Sequence, residues 1–180
     1  MKRALLFSLT LLVIALTSAC SQAPSDARIG IFAPDGSDPV FGPVADYLGH
    51  RCGTGDCHGD VHRNLRIYSC YGMRGAVTDV VECSSRRGGR PTTANEHALT
   101  YRSLVGLEPT VMSEVVLGGG LDPELLTFYR KARGLESHDG GQLIVAGDAQ
   151  DVCVSSWLAG RTNLGACTDA LAFPAFQGFP

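Results

Sequence analysis

The sequence lacks the short motifs that mark several common enzyme active sites. It contains no Gly-x-Ser-x-Gly turn, and the three glycines at 118–120 are not followed by the lysine of a phosphate-binding loop. Asp35, Asp38, Asp46 and Asp56 do not have the spacing of a catalytic carboxylate pair. Positive charge is also scarce, with 15 Lys and Arg against 18 Asp and Glu. We therefore expect neither an enzyme of these classes nor a nucleic-acid partner.

Long hydrophobic runs are equally rare, and the clearest one lies at the start of the chain. Leu5–Leu16 is apolar apart from two hydroxyl residues, follows Lys2 and Arg3, and is too short to cross a bilayer comfortably. Small residues and then Cys20 come directly after it. This order of segments is typical of a secretory signal peptide, so we predict that residues 1–19 are removed on export.

Small residues directly before a cysteine resemble the lipobox of bacterial lipoproteins. The resemblance implies that Cys20 is acylated and anchors the protein to a membrane without a transmembrane helix. Ser21 at the next position, by the same resemblance, implies the outer membrane of a Gram-negative cell, with the domain facing the periplasm. The alternative is an ordinary signal peptide cut near Ala19 or Ala23, which would leave Cys20 as a thiol.

The rest of the chain has the length of one domain. Residues 20–38 are rich in Ser, Ala, Pro, Asp and Gly and are predicted to be a flexible tether, followed by a single domain at 39–180. Without its two N-terminal positive charges the net charge changes from −3 to −5. Six further cysteines are an even number for an oxidising compartment, which predicts disulfides. Their connectivity stays open; pairing of nearest neighbours gives Cys52–Cys57, Cys70–Cys83 and Cys153–Cys167.

Hydrophobic spacing and capping residues predict an all-α fold of about five helices with a glycine-rich loop region. Pro43 suits the first position of the first helix. Thr93 and Glu96 have the spacing of a capping box, and Asp122 and Asp148 stand at two further cap positions. The predicted helices are 43–51, 93–105, 111–117, 123–133 and 149–159.

The segment from Cys52 to His58 is the most informative for function. Two thiols beside a histidine can hold a c-type haem, because each thiol bonds one vinyl group and the histidine supplies an axial nitrogen to iron. The common spacing is Cys-x-x-Cys-His. Here four residues separate Cys52 from Cys57, a longer spacing that some multihaem cytochromes use. A predicted helix leads directly into the motif.

The layout of residues 40–160 is similar to the small c-type cytochrome domains of bacterial secreted lipoproteins. The features that carry this resemblance are the helix ending at Cys52, the sequence Cys57-His58-Gly59, and a C-terminal helix containing Trp157. It implies a cytochrome c-like fold whose last helix packs on the helix before the motif. It also implies covalent haem, electron transfer to a periplasmic redox partner, and a carrier rather than a catalyst.

The second iron ligand departs from that family's pattern. Many such domains use a Met in a Gly-x-Met-Pro-like loop, whereas the matching region here begins at His138 and contains no Met. His138 is therefore the predicted distal ligand, which implies bis-histidine iron with His58. The alternatives are Met73 and Met112, and the alternative role of His138 is an ordinary loop histidine.

Other interpretations of the motif remain open. A disulfide between Cys52 and Cys57 would leave a cofactor-free, disulfide-stabilised structural or binding lipoprotein. A zinc site would draw on Cys52, Cys57, His58 and His62. Arg63 and Arg66 follow the motif, and their guanidinium groups match the carboxylates of haem, although both positions also suit ordinary surface arginines.

Overall fold

The structure is a computed structural model, and it describes residues 30–76 and 90–172. The predicted signal peptide, Cys20 and Cys83 lie outside the described residues. Within them the fold is all-α, as predicted, and its only β-type pairing is an isolated bridge between Tyr68 and Met73. A short 3-10 turn spans Pro123–Leu125. The α-helices are α1 (Asp38–Cys52), α2 (Ala94–Leu107), α3 (Pro109–Leu117), α4 (Thr127–Ala132), α5 (Ala149–Leu158) and α6 (Leu164–Ala170).

The first helix starts five residues earlier than predicted. Ser37 is the N-cap residue, and Pro39, rather than Pro43, lies in the first turn. Proline suits that turn because the first N–H groups of a helix have no intrahelical partner. Pro43 lies inside α1, and the helix continues through it to Cys52.

The helix predicted at 123–133 is divided into two parts. Asp122 makes no side-chain cap, and the extended backbone of Leu126 separates the 3-10 turn from α4. The cap of α4 comes instead from Glu108, whose carboxylate accepts hydrogen bonds from the Thr127 amide at 2.7 Å and the Thr127 hydroxyl at 2.8 Å. A carboxylate at this end of α4 also complements the helix dipole.

Three other helices begin at side-chain caps. Thr93 and Glu96 form the predicted capping box of α2, and Asp148 accepts from the Asp151 amide at the start of α5. The last helix, α6, was not predicted. It begins at Asn163, whose side-chain oxygen accepts from the Ala166 amide at 3.0 Å.

The core is built where the first and last long helices meet. Phe41 of α1 packs against Trp157 of α5 with ring centroids 4.9 Å apart, and both side chains are fully buried. This arrangement agrees with the expectation that the last predicted helix packs on the helix before the motif. The predicted disulfide between Cys153 and Cys167 is confirmed, and it joins α5 to α6.

The end of the predicted tether lies against the helices. The amide of Phe32 donates to Ser113 Oγ at 2.9 Å, and the carbonyl oxygen of Pro34 accepts from the Tyr101 hydroxyl at 2.7 Å. The indole N–H of Trp157 donates to the carbonyl oxygen of Asp35 at 2.9 Å. The packed domain therefore begins several residues before the predicted boundary at 39.

Candidate functional site

The segment from Cys52 to His58 forms a compact loop at the end of α1. The amide of His58 donates to the Cys52 carbonyl at 2.9 Å, and the amide of Cys57 donates to the Thr54 carbonyl at 2.9 Å. Arg63 reaches back to this loop, because its guanidinium donates to the carbonyl oxygens of Cys57 and Asp56, both at 3.1 Å. These bonds fix Cys52, Cys57 and His58 relative to one another.

Close backbone packing holds the same loop from behind. A Cβ atom at Gly59 or at Gly72 would lie 2.1 Å from the carbonyl oxygen of Gly53. Only glycine permits the chain to approach this closely. Gly59 and Gly72 therefore allow the chain to pack tightly against the motif loop, within the region that was predicted as a glycine-rich loop.

The structure brings His58 and His138 together. Their ring centroids are 6.0 Å apart and their planes differ by 18°. In each ring Nδ1 faces a backbone carbonyl oxygen, that of Leu65 at 3.1 Å for His58 and that of Gly141 at 3.3 Å for His138. Within the described residues Nε2 of either ring makes no hydrogen bond. Each histidine thus has one nitrogen oriented by the backbone and the other available for a ligand, an arrangement typical of metal-binding histidines.

The electrostatic surroundings keep His58 neutral. Burial lowers the pKa of His58 below its usual value, and the nearby His138 and Arg63 lower it further, against the opposing effect of the hydrogen bond to Leu65. A neutral imidazole has a lone pair to offer a metal, whereas an imidazolium has none.

A cavity of about 410 Å³ opens beside these rings. Its volume lies within the roughly 300–1,000 Å³ that is usual for ligand and cofactor sites. Cys52, His58 and His138 contribute to its wall, and a smaller adjoining recess is lined by Cys57 as well. Apolar side chains from five parts of the chain make up much of the rest, namely Leu48, Leu65, Ile67, Leu107, Phe128, Ala132, Leu143 and Ile144.

Cys52 and Cys57 are free thiols in the structure, so the disulfide from nearest-neighbour pairing is wrong for this pair. Backbone hydrogen bonds and glycine packing already close the loop, and both side chains are directed to the recess that His58 and His138 share. Burial raises the pKa of Cys52 to about 12, which keeps this thiol protonated. Cys70 is disulfide-bonded, and its predicted partner Cys83 lies outside the described residues.

The structure places neither of the two alternative methionine ligands at the cavity wall. Met112 is fully buried in the core, and Met73 lies in the bridge with Tyr68, where its carbonyl oxygen accepts from Ser69. Arg63 lies at the cavity wall, but its guanidinium is bound to the loop carbonyls. Arg66 lines a neighbouring surface groove and not the cavity.

The four predicted zinc ligands do not converge. The His62 side chain is 88% exposed and turns to Asp60, with Nδ1 2.9 Å from a carboxylate oxygen. Among residues 30–76 and 90–172 no three His, Cys, Asp or Glu side chains are placed to hold one metal ion. This interpretation of Cys52, Cys57, His58 and His62 is therefore wrong for the described part of the chain.

Some residues of the site were not identified from the sequence. Tyr47, on the apolar face of α1, lines the cavity, is fully buried, and has a hydroxyl group without a hydrogen-bond partner in the described part of the chain. Phe128 and Lys131 of α4 also lie at the wall. The helical spacing of Tyr47 and Phe128 indicated buried faces but gave no sign that these faces border a cavity, and Lys131 was interpreted only as a positive charge in the last turn of its helix.

The predicted lipid anchor at Cys20 cannot be placed, since that residue lies outside the described ranges. Within the described ranges no helix is long and apolar enough to span a membrane.

Comparisons with known proteins give no relative: no protein-family model, no curated protein and no solved structure matches the chain. The function is therefore inferred from the site itself.

Proposed function

We propose that this protein carries one covalently attached c-type haem and transfers single electrons, as an exported protein anchored through a lipid at Cys20. The observation that carries the proposal is that two free thiols and two imidazoles line one small recess, and that three of these four side chains, all but Cys57, also line the apolar cavity beside it. When bound, the haem iron would supply reversible one-electron chemistry. The chain's own residues would bind the group, orient it and exclude water.

The spacing of the two imidazoles supports iron coordination by His58 and His138. Their ring centroids are 6.0 Å apart, and both side chains line the same cavity, so they are the residues that would hold the iron. Both rings already present Nε2, because Nδ1 is held by a carbonyl oxygen in each. Two histidine ligands favour a lower potential than a histidine and a methionine.

The two thiols support covalent attachment. Cys52 and Cys57 are unpaired although four other cysteines lie in the same domain, and both are adjacent to the two histidines. In this role their sulfur atoms would hold the edge of the haem through thioether bonds, with His58 next to Cys57 in the chain.

The apolar wall and the charges at its rim support an electron-transfer role. Leu48, Phe128 and Ile144 would exclude water from the group, and a low-dielectric surrounding changes the potential by penalising the more highly charged oxidation state. Arg63 would act through the loop, whose carbonyl groups it binds. A periplasmic redox partner would then receive or supply the electron.

The second candidate is a cofactor-free structural or binding lipoprotein. Its support is the Cys153–Cys167 disulfide, which stabilises the helices without any cofactor. It gives no role to the two unpaired thiols or to the paired histidines at the cavity.

The proposal is tested by the intact mass of the full chain expressed in a periplasm with active haem-attachment machinery. One covalent haem adds about 616 Da, and we expect this mass in the wild type. The Cys52→Ala/Cys57→Ala variant is expected to lose it. His62→Ala, which removes an exposed histidine of the same segment, is the matched control and is expected to keep it. A wild-type mass without the addition would contradict the proposal.

The lipid anchor is tested separately by metabolic labelling with palmitate. The wild type is expected to incorporate the label and to sediment with outer membranes, whereas Cys20→Ser is expected to do neither. Equal labelling of the two proteins would contradict acylation at Cys20.

A further inference from the structure

A histidine is enclosed between two carboxylates at the contact of α1 with α2. His97 of α2 is 8% exposed. Its Nδ1 lies 2.5 Å from an oxygen of Asp38, and its Nε2 lies 3.0 Å from an oxygen of Asp46. Both aspartates belong to α1, so one side chain of α2 is bound at two points along its neighbour.

The sequence of α1 makes room for this ring. Asp38, Gly42 and Asp46 follow one another at intervals of four residues and therefore lie on one face of the helix. A Cβ atom at Gly42 would be 3.1 Å from Nδ1 of His97, and Gly42 itself is buried. The glycine thus provides a notch in which the imidazole lies, with one carboxylate a turn before it and one a turn after.

This geometry determines the protonation state of the ring. A carboxylate only accepts hydrogen bonds, so a ring nitrogen that faces one must carry a proton. Because both nitrogens of His97 face carboxylate oxygens, the arrangement requires an imidazolium. Burial lowers the pKa of His97, but the hydrogen bonds and charges of Asp46 and Asp38 outweigh it and the net pKa is raised.

Among residues 30–76 and 90–172, Asp38 and Asp46 are the only charged side chains that contact this ring. Glu96, the adjacent residue of α2, is paired with Arg74 at 2.7 Å. The next titratable side chain along α1 on the same face is His50, whose Nδ1 lies 2.9 Å from the Tyr71 hydroxyl. The charged contacts of His97 are therefore those to α1.

We propose that His97 is a pH-operated latch, closed when protonated, that joins α2 to α1 and opens as the pH rises. Deprotonation leaves one ring nitrogen as an acceptor facing a carboxylate oxygen, so one of the two contacts becomes repulsive. Both helices contribute to the cavity wall, through Cys52 at the end of α1 and Leu107 at the end of α2. The latch therefore makes the packing of α1 against α2, and with it the cavity wall, sensitive to pH, whether or not a haem is bound.

The pH dependence has a definite direction. Because the pKa of His97 is higher in the folded protein than in the unfolded chain, its contribution to stability is fully present below the unfolded value of about 6.5. It is lost as the pH rises through the raised value. A histidine latch of the opposite kind, neutral when closed, would gain strength over the same range.

The first test is an NMR titration of the five histidines of the wild-type full chain. We expect one imidazole, assigned by its absence in His97→Gln, to titrate above pH 6.5, the ordinary value for a histidine. A midpoint for His97 at or below pH 6.5 would overturn the proposal. The titration is measured on the wild type, and His97→Gln serves only to assign the signal, so the result does not depend on the stability of that variant.

The second test compares denaturant unfolding of the wild type, His97→Gln and the control His62→Gln between pH 6 and pH 9. The unfolding equilibrium constants of the wild type and His97→Gln are expected to converge as the pH rises. The ratio of the two constants should change in total by roughly tenfold for each unit by which folding raises the pKa of His97. The control is expected to follow the wild type throughout. A ratio between wild type and His97→Gln that does not change with pH would contradict the latch and would leave the haem proposal unaffected.

Discussion

Replacement of Glu96 by Gln tests how the start of α2 is held. The Glu96 side chain is fully buried, and its two oxygens accept five hydrogen bonds. The donors are the Arg74 guanidinium, the Gly75 amide, and the amide and hydroxyl groups of Thr93. Arg74 in turn donates to the carbonyl oxygen of Pro91. One carboxylate therefore joins α2 to two separate segments of chain.

The cost of Glu96→Gln follows from this arrangement. Glutamine has nearly the same shape but replaces one acceptor oxygen by an NH2 group, which then faces at least two of these donors in either orientation, one of them from the buried Arg74 guanidinium. Each buried donor left without an acceptor costs about 1–3 kcal/mol, and removal of one partner from a buried ion pair costs about 3–5 kcal/mol. We therefore expect a loss of roughly 3–5 kcal/mol, equivalent to a fall in Tm of about 6–20 °C for a domain of this size.

Urea unfolding of the wild type and the variant measures the loss, and Glu114→Gln is the matched control because Glu114 is an exposed glutamate of α3. Burial raises the pKa of Glu96, but the hydrogen bonds from Gly75 and Thr93 and the pairing with Arg74 lower it more, so the net pKa is below the ordinary value. The difference between wild type and Glu96→Gln should therefore be present above pH 4.5 and disappear as the pH falls through that lowered pKa. A loss below about 1 kcal/mol, equal to that of the control, would refute this reasoning.

Three further predictions concern the disulfide, the motif loop and the distal ligand. Cys153→Ala/Cys167→Ala should lower the free energy of unfolding, measured in urea, by about 3 kcal/mol, since the disulfide closes a loop with a sequence separation of 14 residues. An unchanged urea midpoint would contradict this. Gly72→Ala should reduce both stability and attached haem, measured by melting temperature and by mass, because its Cβ would lie 2.1 Å from a carbonyl oxygen of the motif loop. His138→Ala should change the haem absorption spectrum while Met73→Ala should not, and the reverse result would mean that the distal ligand has been assigned wrongly.

Features decided by neighbouring residues were predictable from the sequence. The capping box at Thr93 and the cap at Asp148 depend on contacts over three residues, and both are present. The disulfide over a short separation, Cys153–Cys167, was found by nearest-neighbour pairing. The all-α class follows from the same local signals repeated along the chain.

Features that depend on distant residues were not predictable. The division of the helix predicted at 123–133 involves a cap from Glu108, 19 residues before the amide that it binds. The position of α1 depended on a choice between two prolines that local rules treat alike. The unpaired state of Cys52 could not be seen either, since nearest-neighbour pairing does not reveal a cavity beside the thiol.

The candidate site shows the same division. The motif from Cys52 to His58 is local and was identified directly, whereas the encounter of His58 with His138 joins positions 80 residues apart. Sequence reasoning reached His138 only through the resemblance to c-type cytochrome domains. No resemblance pointed to His97, and its contacts with Asp38 and Asp46 are visible only when α1 and α2 are placed side by side.

The measurement that tests the central claim most directly is a pyridine haemochrome spectrum of the mature protein, expressed with active haem-attachment machinery. The account predicts a sharp reduced band at about 550 nm that survives acid–acetone extraction, because thioether bonds to Cys52 and Cys57 would hold the haem. A colourless protein in which Cys52 and Cys57 are joined by a disulfide would contradict it.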